Sequence, residues 1–154
     1  MGDNRKVLGK VSVERSGFGL AEEDPFLEAE TEWMELEFTD DSPNVQVAQG
    51  QVHVLSAFRS HDATVTLELS DTPAGGIPGW SLLAQLPYLS RSGIVEVWTI
   101  AGPEEIRLDL QAEEAPFTLQ VFRRHIPDTE SRYQASLEVP HGLEEYVFRF
   151  SPAA

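Results

Sequence analysis

Four histidines, His53, His61, His125 and His141, are the side chains of this sequence best suited to acid–base or metal chemistry. No two of them have the spacing of a helical metal pair or a zinc motif. His53 falls within a strand pattern, where a hydrogen-bonded histidine is the ordinary case. Cysteine is absent, which removes disulfides, thiolate nucleophiles, cysteine zinc sites and iron–sulfur clusters by inventory. No serine stands in a Gly-x-Ser-x-Gly elbow, and a serine without a positioned base is an ordinary polar residue. Gly17-Phe18-Gly19-Leu20-Ala21-Glu22 begins like a dinucleotide fingerprint but lacks its third glycine and the βα unit that should follow. Carboxylates are too abundant for any pair to stand out as the acid and base of a glycosidase. Asp40-Asp41 and Asp71 lie at expected strand ends, where oxygen ligands could gather calcium, yet no EF-hand loop occurs. The sequence therefore predicts no enzyme, no cofactor and no metal.

What remains is charge. The chain has 26 acidic and 11 basic side chains, a formal net charge of -15. Binding nucleic acid through its phosphates needs a basic surface, and an anionic membrane repels an acidic one, so both are excluded as partners. A basic protein is attracted instead. The charge is unevenly placed. From Ser16 to Phe58 there is no Lys or Arg, while Glu22, Glu23, Asp24, Glu28, Glu30, Glu32, Glu35, Glu37, Asp40 and Asp41 crowd the first half of that stretch. Within it, Trp33-Met34-Glu35-Leu36-Glu37-Phe38-Thr39 alternates as a strand, with Met34, Leu36 and Phe38 on a core face and Trp33, Glu35 and Glu37 opposite. An aromatic flanked by carboxylates combines a hot-spot residue with partners for Lys or Arg. Glu28, Glu30, Glu32, Trp33, Glu35, Glu37, Asp40 and Asp41 are thus the candidate partner-binding residues. The competing account of the same residues is a Trp that covers a sheet edge beside glutamates that discourage strand addition.

The elements that must position this segment are strands. At 154 residues and 41 % hydrophobic composition, the chain reads as one domain, 1–154, with the acidic segment at 21–41. Val7–Arg15, Val45–Val47, Gln51–Phe58, Ile94–Ile100, Glu105–Leu110, Pro116–Phe122, Tyr133–Val139 and Glu144–Phe150 all have β character. Ala63–Leu69 shows the cleanest alternation, with Ala63, Val65, Leu67 and Leu69 on one face. Asp40-Asp41-Ser42-Pro43-Asn44 is turn chemistry, and Asp71-Thr72-Pro73-Ala74-Gly75-Gly76-Ile77-Pro78-Gly79 reads as a long loop. Leu82, Leu83 and Leu86 have helical spacing, cut short by Pro87. The expected fold is a mainly β, single-domain antiparallel β-sandwich with at most one short helix near Ser81–Leu86. No apolar stretch reaches membrane-spanning length and no secretory leader pattern opens the sequence, so the expected location is the cytoplasm.

The order of several pieces resembles the competence protein J family, small acidic inhibitors that bind a competence nuclease. These pieces are Ala48-Gln49-Gly50-Gln51-Val52-His53-Val54, Ala57-Phe58-Arg59, Ala63 to Leu69, Gly93-Ile94-Val95-Glu96-Val97 and Tyr133-Gln134-Ala135-Ser136-Leu137. The resemblance spans Val47 to Val139 and lies in strand patterns, so it assigns no binding residue by position. The chain departs from the pattern at Ala21–Glu32, at Gly75-Gly76-Ile77-Pro78-Gly79 and at Glu144–Phe150. The resemblance implies a β-sandwich-like fold and a role in neutralising a nuclease or toxin.

The sequence thus points to a non-enzymatic, acidic inhibitor or immunity protein, monomeric or weakly dimeric, that neutralises a basic partner such as a nuclease or toxin. The alternative is a small-ligand or carbohydrate-binding β-domain in which Trp80, Tyr88 and Trp98 line a pocket near the Gly/Pro loop. A hydrolase using acidic residues ranks last.

Overall fold

Period-two alternation of apolar side chains runs through nearly every segment of this computed structural model, and each such segment is a strand. The structure describes residues 5–13, 17–22, 45–48, 51–55, 61–90, 92–99, 102–112, 114–125 and 141–153. The candidate residues Glu28, Glu30, Glu32, Trp33, Glu35, Glu37, Asp40 and Asp41 lie outside these, as does the expected strand Tyr133–Val139. Ten strands are described: β1 (Arg5–Val13), β2 (Gly17–Glu22), β3 (Val45–Ala48), β4 (Gln51–Leu55), β5 (His61–Leu69), β6 (Ser81–Ser90), β7 (Ile94–Thr99), β8 (Gly102–Asp109), β9 (Ala115–His125) and β10 (His141–Pro152). Among the described residues there is no helix, and hence none long and apolar enough to cross a membrane.

The strands form two five-stranded sheets, ordered β1-β5-β10-β9-β6 and β3-β4-β2-β7-β8. They pack face to face as a sandwich. Val65, Leu67, Phe148, Leu119 and Val121 of the first sheet meet Phe18, Leu20, Val52, Val95 and Val97 of the second in one core. Phe18 lies edge-on to Tyr146 at 4.9 Å, a favoured aromatic geometry. Leu67 is fully buried, as its alternation requires.

Two expectations change. The sandwich is not wholly antiparallel, because β10 pairs with β5 in parallel, Phe148 opposite Leu67 and Phe150 opposite Leu69. The chain between these strands carries β6 to β9, so no tight turn dictates their direction. The second concerns the segment with helical leucine spacing, which is strand β6, paired with β9. A register shift between Leu82 and Ala84 turns Leu82 outward and Leu86 and Tyr88 inward, so one bulge in a strand mimics a helical period. Pro87 fits because β6 is an edge strand.

At the opposite side of the sandwich the two sheets approach closely. A Cβ placed on Gly9 of β1 would lie 2.5 Å from Ile106 Cδ1 and 2.6 Å from its Cγ1. Glycine is needed there for close approach and not for backbone conformation.

Candidate functional site

The acidic segment is tied to the second sheet at both ends. β2 delivers the chain to it at Glu22, opposite Val95 and beside the Ala21–Gln51 pair, and β3 receives it at Val45, opposite Val54. Gln51 and Val54 lie toward opposite ends of β4, so the connection leaves one end of the sheet and returns at the other.

Glu22 itself is not part of a solvated face. It continues the inward parity of Phe18 and Leu20 and is 4 % exposed. Its Oε2 accepts from the Tyr88 hydroxyl at 2.9 Å, and its Oε1 accepts from Ser90 Oγ at 2.8 Å, from the Ser92 amide at 3.0 Å and from Ser92 Oγ at 3.4 Å. β2 belongs to one sheet and Tyr88 and Ser90 to the other, so the carboxylate ties the two layers together next to the root of the acidic segment. The following turn is fixed as well. The Gly93 amide donates to Ser90 Oγ at 3.0 Å, and Gly93 has φ 83° with a Cβ position 2.8 Å from the Ala112 carbonyl oxygen.

A carboxylate among hydroxyls can suggest catalysis, but here each of these four contacts donates to the carboxylate, and together they satisfy it. Burial, then the charge of Glu22 and the hydrogen bond to it, push the Tyr88 phenol far above its usual range. Tyr88 stays protonated, as a donor. By sequence Glu22 is one member of the acidic stretch; the period shared with Phe18 and Leu20 is the signal that identifies it as buried.

A second polar constellation crosses the outer face of the first sheet. Pairing registers align Lys6, Glu68, Arg149, Gln120 and Gln85 in one row over all five strands. Lys6 Nζ lies 3.5 Å from Glu68, Arg149 Nη1 lies 3.2 Å from Glu68, and Gln120 Nε2 donates to Gln85 Oε1 at 2.9 Å. The long Gly/Pro loop is laid along this row. Arg149 donates to the Thr72 carbonyl from Nη2 at 2.9 Å and from Nε at 3.1 Å. The Gln120 amide receives the Ala74 N–H at 2.8 Å and donates to the Ala74 carbonyl at 2.9 Å. Farther along, the Arg124 guanidinium lies 4.9 Å from the Trp80 ring centroid and binds Glu145 at 2.7 Å.

The aromatics expected to share a ligand pocket occupy three separate places. Trp80 is in this strap, Tyr88 is in the core beside Glu22, and Trp98 lies on the outer face of the second sheet, level with Gly19 and His53. That arrangement removes the pocket proposed for the carbohydrate-binding alternative. His53 is partly buried, and desolvation lowers its pKa from 6.5 to about 4. The register sets His141 beside Asp62, next to His61, at one end of the first sheet. Among the described residues no group of three His, Asp or Glu side chains could hold a metal ion. A groove of about 630 Å³ runs along edge strand β6 between Val47, Leu86, Pro87, Leu89 and Phe117 and is mainly apolar.

Two solved structures are similar to this one in overall fold. The fold is similar to that of ComJ. The crystal structure of ComJ from Bacillus subtilis, an inhibitor of the DNA-degrading activity of NucA, superposes with a TM-score of 0.59 over 99 % of this chain and 96 % of that one, at 12 % identity. The protein of crocagin biosynthetic gene J matches with a TM-score of 0.58 over 99 % and 100 %, also at 12 % identity. No family model matches, and no curated protein does. At this identity the likeness is one of fold.

Proposed function

We propose that the protein is a non-enzymatic inhibitor that neutralises a basic protein partner, such as a nuclease, through its acidic segment. The observation that carries this reading is the concentration of charge. Ten of the 26 acidic residues fall in the stretch from Ser16 to Phe58, which has no Lys or Arg, leaving sixteen acids against eleven basic residues elsewhere. One of the ten, Glu22, lies inside the sandwich, and the others follow it in the sequence, between β2 and β3. A nuclease presents a basic surface to phosphate, and a dense acidic segment competes for it. The fold shared with ComJ, which inhibits the DNA-degrading activity of NucA, agrees with that role.

Glu28, Glu30, Glu32, Glu35, Glu37, Asp40 and Asp41 supply the charge in this proposal, and Trp33 the apolar anchor. The partner is a protein, with neither nucleic acid nor membrane involved, and the inhibitor works in the cytoplasm as a monomer or weak dimer. The test is a DNA-degradation assay with a basic nuclease from the same source, run with and without the protein at two salt concentrations. Inhibition that weakens steeply with salt is expected. Unchanged DNA degradation at an excess of the protein refutes the proposal.

A further inference from the structure

Each sheet has two edges, and three of the four are short or broken. β6 carries a register shift and Pro87, β8 carries a register shift and Pro103, and β3 is four residues long. These are devices by which an edge strand avoids taking on a foreign strand. β1 has none of them. Its nine residues, Arg5–Val13, pair one for one with β5 without a shift and include no proline. Among the described residues β1 pairs with β5 alone, so its other edge presents a regular row of main-chain N–H and C=O groups.

The side chains beside that edge are basic and apolar. Lys6, Leu8 and Lys10 alternate on the outer face and all three are exposed; Leu8, at 69 %, is the most exposed large hydrophobic residue among the described ones. Lys6 lies 3.5 Å from Glu68, which Arg149 also binds at 3.2 Å, and Lys10 has no carboxylate partner among the described residues. β1 contains no acidic residue, in a chain of net charge -15. Screening limits exposed charges to about 8 Å at physiological salt, so the two lysines and not the net charge of the chain govern what approaches this edge. An open hollow of about 460 Å³ lies between β1 and the β7–β8 pair, lined by Lys6, Val7, Ile94, Arg107, Leu108 and Asp109. Its walls combine apolar side chains with two cations against one carboxylate.

We propose that the free edge of β1 is a docking site for an extended acidic segment of a protein partner, which joins the first sheet as a sixth strand. Strand addition to an open edge takes its affinity from main-chain hydrogen bonds and its selectivity from alternate side chains. Here that alternation asks for an acid opposite Lys6, an apolar residue opposite Leu8 and an acid opposite Lys10. The intervening residues of the incoming strand face the side on which Val7 and the hollow lie. A second copy of the chain fits this edge poorly. An antiparallel pair of β1 strands with Leu8 on Leu8 sets Lys6 against Lys10 twice, and like charges directly opposite destabilise the pair. The site is independent of the acidic segment and of the inhibitor reading.

Amide exchange on the unaltered protein gives the first test. Alternate amides of Arg5–Val13, those turned away from β5, are expected to exchange at least about tenfold faster than their neighbours bonded to β5. Uniform protection along β1 would mean that the edge is already occupied, and overturns the proposal. The second test uses a synthetic peptide, blocked at both ends, in which glutamate, leucine and glutamate alternate with threonine, and a control peptide with lysine in place of glutamate. In a titration followed by amide NMR, the glutamate peptide alone is expected to shift the β1 resonances and to slow the fast amides of that strand. Lys6→Gln combined with Lys10→Glu is expected to weaken binding at least about tenfold with an unchanged thermal melt. If the double variant melts lower, Lys10→Glu alone, at an exposed position, serves in its place. No shift in β1 at millimolar peptide overturns the proposal, as does equal binding of the two peptides or binding indifferent to the lysine variants. The same shifts from a single-stranded DNA oligonucleotide, or dimerisation through β1 without peptide, would give the edge to another occupant and overturn it as well.

Discussion

The Tyr88 hydroxyl donates to Glu22 across the interior of the sandwich at 2.9 Å, and the two residues come from different sheets. A buried acid here acts as a mortise between layers. It accepts from four donor groups on three residues of β6 and the turn after it, and its own charge is stabilised by them.

Glu22→Ala removes the acceptor and leaves the Tyr88 and Ser90 hydroxyls buried without it. A loss of about 3 kcal/mol or more in unfolding free energy is expected, against about 1 kcal/mol for Tyr88→Phe, which deletes one donor. Urea unfolding of both variants checks the order. Equal losses would mean that the carboxylate does not organise the network.

The contact between Gly9 and Ile106 sets a second expectation. Gly9→Ala should destabilise by about 1–3 kcal/mol, because its Cβ overlaps two buried Ile106 atoms. In combination with Ile106→Ala the penalty should fall well short of the sum of the two single losses, since the obstructing atoms are gone. A double-mutant cycle in guanidinium measures this, and strict additivity would show that the two residues do not touch.

His53 predicts a pH dependence. Its folded pKa is about 4 against 6.5 in the free side chain. Between these values the unfolded chain takes up a proton that the folded protein does not. The stabilising difference is therefore complete above about pH 6.5 and is lost as pH falls toward about 4. Because the ring is partly exposed, we expect a loss of about 1–2 kcal/mol from this residue. His53→Gln should flatten that part of the profile in urea titrations at stepped pH. An unchanged profile would assign the dependence to carboxylates.

The inhibitor reading separates attraction from anchoring. Reversing Glu35 and Glu37 to Lys should mainly slow association with the basic partner, since exposed charges act over a Debye length of about 8 Å at physiological salt. Trp33→Ala should instead speed dissociation and cost about 2 kcal/mol of affinity or more. Surface plasmon resonance reads both rates, with thermal melts as the control for folding. Unchanged rates accompanied by shifted melts would place these residues in the scaffold.

The sandwich itself was legible in the sequence because half-buried strands write their burial as alternation. Ala63 to Leu69 shows it, and Leu67 sits where the pattern puts it. β6 was misread because a bulge beside Leu83 breaks the period locally and leaves leucines at helical spacing. β2 was missed because its outward residues, Gly19 and Ala21, are small, and an alternation of large and small apolar residues carries no polarity signal. Glu22 was hidden by its company. Ten carboxylates in a row of neighbours look solvated, and only parity with Phe18 and Leu20 distinguishes the buried one. Gln120 looked like any outward polar residue of a strand. What it holds is fixed by where a distant loop falls across the sheet, a relation that local pattern does not encode.

The parallel partnership of β5 with β10 also has a consequence for how the protein comes into being. β10 is the middle strand of its sheet, with β1 and β5 on one side and β9 and β6 on the other. On the ribosome, both flanks emerge before it. Until β10 arrives, each flank is a strand pair with a bare hydrogen-bonding edge, the state in which chains pair with the wrong neighbour. Contacts of such long sequence separation also make for slow closure. The nascent protein therefore passes through a vulnerable interval that ends only when its keystone, His141–Pro152, drops into the gap.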